Sequence, residues 1–139
     1  MIVVDSCGWL EYFGDTERAL LFDPAIEGSE QLVVPAVTVY EVFRRLLPMV
    51  GKIEALSCIA TMTRNVVVPL DERLALEAAY VASEFHLPFA DATIYASSLM
   101  FDAELWTQDA HFEGLPRVKY FAPDAVTENQ FSNRPSSLP

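Results

Sequence analysis

The chain has 139 residues, 52% of them apolar and 21% charged, and a formal net charge of −11. Those values describe one globular domain with a buried core, and they exclude a disordered chain. They also exclude a broad basic face for passive nucleic-acid binding. No apolar run reaches the roughly 18 residues of a membrane span, and "MIVVD" lacks the basic start of a signal peptide. The expectation is a cytoplasmic protein whose two cysteines, Cys7 and Cys58, are small buried residues in a reducing compartment.

Strand and helix signals alternate along the chain. "MIVVD" is a β-branched run ending in an acid and reads as the first strand. Ser6 reads as the N-cap of a helix in "SCGWLEYF", which carries apolar residues at helical spacing. Residues 16 to 27 read as a second helix starting at Thr16, and "QLVVP" as a second strand that Pro35 ends. A helix from about Val37 to Leu47 follows, and Gly51 separates it from another over Lys52 to Thr63. "NVVVPL" is a third strand, after which Asp71 caps a helix from Glu72 to Phe85. "FADATIYASSLM" is apolar enough to be a buried helix, "AELWT" is a strand, and "RVKYF" is the last strand. Residues 1–126 therefore read as one α/β domain, a sandwich with a mainly parallel sheet of about four to five strands. Residues 127–139 read as a loose polar tail.

In an open parallel sheet, ligands bind outside the carboxyl ends of the strands. Asp5 ends the first strand, Asp109 lies just beyond "AELWT", and Asp91 opens the buried helix. Glu41 sits near the start of the helix after "QLVVP", again on the strand-end side. Each acid alone has a plainer role: Asp5 as a helix cap, Asp91 beside a helix N-terminus, Glu41 reaching solvent, Asp109 starting a turn. Together they would repel, two carboxylates about 5 Å apart by roughly 3 kcal/mol at an effective dielectric near 20. No Lys or Arg adjoins Asp5, Asp91 or Asp109 in sequence. Such a cluster takes up protons or binds a hard cation, and oxygen ligands suit Mg²⁺ or Mn²⁺. There is no zinc spacing and no Gly-rich phosphate loop, and His111 in "DAHF" reads more readily as a surface histidine than as part of the site.

The ordered set "VVDS", "YEVFRR", "FADATIYA" and "LWTQDAHF" resembles the PIN-domain ribonucleases, in particular VapC-like toxins of prokaryotic toxin–antitoxin pairs. The resemblance covers about residues 1 to 122 and implies a PIN-like α/β/α sandwich. It makes Asp5, Glu41 and Asp91 the central metal-binding and catalytic acids and Asp109 a fourth, with Ser6 and Thr107 as supporting polar groups. It implies a Mg²⁺- or Mn²⁺-dependent endoribonuclease that cleaves RNA phosphodiester bonds with a metal-activated water. The implied partners are an RNA substrate, a cognate VapB-like antitoxin and a second copy in a homodimer. The alternative is a non-catalytic PIN-like module that binds RNA or antitoxin.

Arg44 and Arg45, three and four residues after Glu41, are candidate RNA-phosphate contacts, with solvated helix charges or contacts to an acidic partner as the equal alternative. Trp9, Tyr12 and Phe13 read as core or as an antitoxin groove more readily than as base-stacking platforms. A phosphoryl-accepting receiver domain fits less well, because Asp71 belongs to the following helix rather than ending the third strand. A haloacid-dehalogenase-like phosphatase would want an aspartate where Cys7 stands.

Overall fold

The computed structural model describes residues 1–124, so the expected tail and the last two residues of the expected domain lie outside the described residues. In chain order it contains β1 (Ile2–Val4), α1 (Ser6–Gly14), α2 (Ala19–Ile26), β2 (Val33–Pro35), α3 (Ala36–Val50) and α4 (Lys52–Thr63). There follow β3 (Val66–Val68), α5 (Glu72–Phe85), α6 (Phe89–Met100), β4 (Glu104–Thr107), a 3₁₀ turn (Ala110–Phe112) and β5 (Val118–Tyr120).

Among the described residues all strand pairs are parallel. β1, β4 and β5 form a three-stranded sheet with β4 in the middle, and β2 pairs with β3. A single parallel bridge between Ile2 and Leu32 joins the two, giving the order β3-β2-β1-β4-β5. Because neighbouring strands run the same way, each connection must cross over, and the helices fall on the two faces.

The side-chain alternation of the strands shows those two faces directly. Val3, Val33 and Leu105 point into one core with Leu74, Ile94, Tyr95 and Phe112, hence against α5 and α6. Ile2, Val4, Val34 and Trp106 point into the other with Trp9, Phe22, Val42 and Met62, from α1 to α4. Both faces being buried is why these strands read as continuous apolar runs. Gly8 lets α1 lie close on β1: a Cβ there would stand 2.6 Å from both Val4 and Phe22. Among the described residues no helix is long and apolar enough to cross a membrane.

The strands are each shorter than the runs read from the sequence, and three helix boundaries differ from that reading for a clear local reason. Ser6 is the first helical residue of α1 and Asp5 is its cap, accepting the Ser6 amide at 2.8 Å. The second helix begins at Ala19 rather than Thr16, because Asp15 takes a left-handed φ of 49° and the Thr16 amide turns back to the Glu11 carbonyl. The third helix runs past Pro48 to Val50 and stops at Gly51, whose φ of 83° ends it. Pro48 lacks an amide for the carbonyl four residues back, but only the final turn loses that bond. Cys7 and Cys58 are free thiols.

Candidate active site at the carboxyl edge of the sheet

The parallel register builds the first half of the site. Val4 pairs with Trp106, and the Asp5 amide donates to the Trp106 carbonyl at 3.0 Å, so the ladder continues one step and sets Asp5 beside Thr107. The Thr107 hydroxyl donates to Asp5 Oδ2 at 2.8 Å and accepts the Asp109 amide at 2.9 Å. One side chain thus ties two of the acids together. Asp5 is only 3% exposed, and its other oxygen accepts the Ser6 amide. The Ser6 hydroxyl lies at 3.5 Å from Oδ1, at the outer limit of a hydrogen bond. Burial pushes the Asp5 carboxyl up to about 6, against the opposing pull of Thr107, Ser6 and Cys7, with the Asp91 charge adding to the rise.

The second half is more open. Asp91 lies in the first turn of α6 and Asp109 caps the 3₁₀ turn, accepting the His111 amide at 2.9 Å. His111 Nδ1 stands 2.7 Å from Asp91 Oδ2 and 3.4 Å from Asp109 Oδ1. His111 is therefore exposed, as expected, but it belongs to the acid cluster, which the sequence reading disfavoured. The hydrogen bond to Asp91, and the charges of both acids, raise the His111 pKa. Burial raises Asp91, partly offset by His111 and reinforced by Asp109.

Glu41 completes the set from α3. Burial raises its pKa, the Ser6 hydroxyl favours its charged form, and the charges of Asp91 and Asp109 raise it further. Its Oε1 is buried with no hydrogen-bond partner, as is the hydroxyl of Thr38, three residues earlier and so on the same helical face. A buried carboxylate oxygen without a donor costs free energy unless a proton or a cation meets it. Among the described residues, no Lys or Arg forms an ion pair with Asp5, Glu41, Asp91 or Asp109. An oxygen-rich, electron-donating set with an orphaned carboxylate oxygen fits a hard divalent cation.

Arg44 and Arg45 are both exposed, and only Arg44 is close enough for its charge to favour ionised Glu41. Trp9 is core, while Tyr12 and Phe13 are half-buried and pack against it and each other.

Two further contributors were missed by the sequence reading. Cys7 is not a passive filler: its thiol donates to Asp5 Oδ2 at 3.4 Å, and burial pushes its own pKa up, so it stays a neutral donor. Its place in the first turn after a capping acid is the one signal that could have marked it. Arg18, in the connection between α1 and α2, donates from Nε to Gln108 Oε1 and from its terminal nitrogens to the carbonyls of Phe121, Ala122 and Pro123. Gln108 in turn donates to Glu11 at 3.2 Å. The residue between Thr107 and Asp109 is thereby held at both ends of its amide, across three separate segments. Nothing in the spacing of Arg18 announces this.

The PIN domain family model matches residues 2–118. That match spans most of the chain, and the chain belongs to the PIN-domain family. Among solved structures, it resembles a chain of a toxin–antitoxin complex from Klebsiella pneumoniae at 19% identity and a TM-score of 0.74, covering 86% of this chain and 96% of that one. A second is from VapBC2 of Rickettsia felis bound to a promoter DNA fragment, at 10% identity and a TM-score of 0.67, covering 88% and 100%. A third is Mycobacterium tuberculosis VapC20, described as a toxin that cleaves the sarcin–ricin loop, at 16% identity and a TM-score of 0.63, covering 90% and 92%. These identities speak for the fold. A search of curated proteins returns no significant match.

Proposed function

We propose that this chain is a divalent-metal-dependent endoribonuclease and the toxin of a VapBC-type pair. The observation that carries the reading is the meeting of Asp5, Glu41, Asp91 and Asp109, from four separate segments, at one sheet edge, with no Lys or Arg among the described residues forming an ion pair with them. PIN-domain membership and the VapC-type neighbours support the same class.

Asp5, Glu41, Asp91 and Asp109 would hold Mg²⁺ or Mn²⁺. When bound, the ion supplies Lewis-acid polarisation of the scissile phosphate and a more acidic water at neutral pH. The chain's own residues do the rest. Thr107, the Ser6 amide and Cys7 fix both Asp5 oxygens, so the acid meets its ligand without reorganising. Thr107 also holds the Asp109 turn in register with Asp5. Arg44 neutralises a flanking phosphate and positions the strand, while Arg45 contributes to weaker long-range attraction. His111 is a lone ring against two acids rather than one of a histidine pair, which favours attack by water over attack by the ribose 2′-hydroxyl.

The proposal extends to a VapB-like antitoxin, a homodimer and a cytoplasmic setting. Tyr40, Leu47, Met49, Val50, Ile53 and Leu56 are exposed along α3 and α4, more apolar surface than a solitary domain needs.

Purified, partner-free protein incubated with structured RNAs in Mg²⁺, Mn²⁺ or EDTA tests the reading, with Asp5→Asn and Asp91→Asn alongside. Metal-dependent cleavage lost in both variants is expected. Equal behaviour of folded wild type and variants on every RNA would leave a non-catalytic binding module.

A further inference from the structure

We propose that His111 is a nitrogen ligand to the cation held by Asp91 and Asp109, and that it biases the site toward Mn²⁺ over Mg²⁺. The inference rests on the metal-site reading above and adds a donor of a different kind to it. His111 Nδ1 is 2.7 Å from Asp91 Oδ2 and 3.4 Å from Asp109 Oδ1, and one ligand atom from each residue lies within 4.8 Å of the others. Adjacent ligands on an octahedral ion with bonds near ~2.1 Å are about 3 Å apart. The separations that suit a shared proton therefore also suit two neighbouring corners of a coordination shell.

The local fold supplies the aim. Asp109 caps the 3₁₀ turn through the His111 amide, which anchors the histidine backbone to one acid while its ring reaches the other. Replacing the proton between ring and acids with a cation asks for no rearrangement of that turn. The ring is 60% exposed, so it is a reachable ligand that can leave and return, and its truncation opens no cavity. Mg²⁺ prefers oxygen and dehydrates reluctantly, whereas an imidazole nitrogen suits later divalent ions better. An all-carboxylate site would not discriminate in this way. A site with one imidazole does.

The test reads the ion directly. Metal-free protein loaded with Mn²⁺ is examined by electron spin-echo envelope modulation, which detects a nitrogen nucleus bonded to the metal. Wild type is expected to show ¹⁴N modulation that His111→Ala abolishes and that substitution of the only other histidine, His86→Asn, retains. Mn²⁺ affinity should fall roughly tenfold in His111→Ala, while Mg²⁺ affinity changes less than about twofold. Absence of nitrogen coupling in Mn²⁺-loaded wild type overturns the proposal. So does an equal loss for both ions, which would make His111 only an orienting partner of Asp91, and so does a chain that takes up no Mn²⁺. RNA cleavage plays no part in the readout: nitrogen-ligated Mn²⁺ with intact RNA would sink the nuclease reading and leave this one standing.

Discussion

Asp5 and Asp91 border the same sheet edge, yet their surroundings are opposite. Asp5 is enclosed and both of its oxygens accept protein donors, from a backbone amide, a hydroxyl and a thiol. Asp91 is half-buried, and its partner is an exposed imidazole on a turn that a second acid caps. A strand register built the first environment and a short turn the second. The enclosed half gives fixed geometry at the cost of holding a charge in a low-dielectric place, and the open half leaves its imidazole exposed to solvent.

The largest effect expected from breaking this pairing is on catalysis. Asp5→Asn and Asp91→Asn should each lower metal-dependent RNA cleavage by at least about 10²–10³-fold. Stability should separate them: Asp5→Asn puts an amide among groups arranged for a carboxylate and shifts the thermal midpoint, whereas Asp91→Asn hardly moves it.

Next comes pH. The folded Asp5 carboxyl, at about 6, lies above its unfolded value of 3.8, so the folded state holds the proton more tightly. Its contribution to stability is complete below pH 3.8 and is lost as pH rises through 6, about 3 kcal/mol in all. Glu41 and Asp91 shift in the same direction. Metal-free protein should therefore lose thermal stability between pH 4 and 7 more steeply than Asp5→Asn does. Mg²⁺ or Mn²⁺ at about 100 times its Kd should return about 2.7 kcal/mol at neutral pH. A metal-free melting curve indifferent to pH would contradict the enclosure of a charged Asp5.

Thr107→Val sharpens the link between the halves, because it deletes the donor to Asp5 and the acceptor of the Asp109 amide. Urea unfolding should show a loss of about 2 kcal/mol, with a larger fall in kcat than in KM. Arg18→Ala should cost about 1–2 kcal/mol, since its hydrogen bonds involve a charged donor but its side chain keeps some solvent. Increased amide exchange confined to the 107–109 and 121–123 segments would identify it as a clamp on both. The smallest effect separates the arginines: Arg44→Ala should raise KM a few-fold and flatten its salt dependence, and Arg45→Ala should do less.

The alternation of elements, the parallel sheet and the four acids at its carboxyl edge were legible in the linear pattern. β-branched runs, capping residues and apolar periodicity are local signals, and Asp71 shows how well they work: its side chain accepts the Leu74 amide at 2.9 Å, where a cap was expected. Thr16 shows their limit. A residue of the right type failed to start a helix because the preceding left-handed Asp15 had already spent its amide on α1.

What the sequence determined by itself was therefore which residues could bear charge and on which edge they would fall, because strand and helix order fixes the direction of every element. Only the tertiary structure decided who meets whom. That Thr107 reaches Asp5 depends on the register of β1 on β4, that His111 turns toward Asp91 depends on a 3₁₀ turn too short to announce itself, and that Arg18 clamps Gln108 depends on three segments packing at once. Contacts between residues about 20 to 100 positions apart leave no period along the chain, so only folding brings them into view.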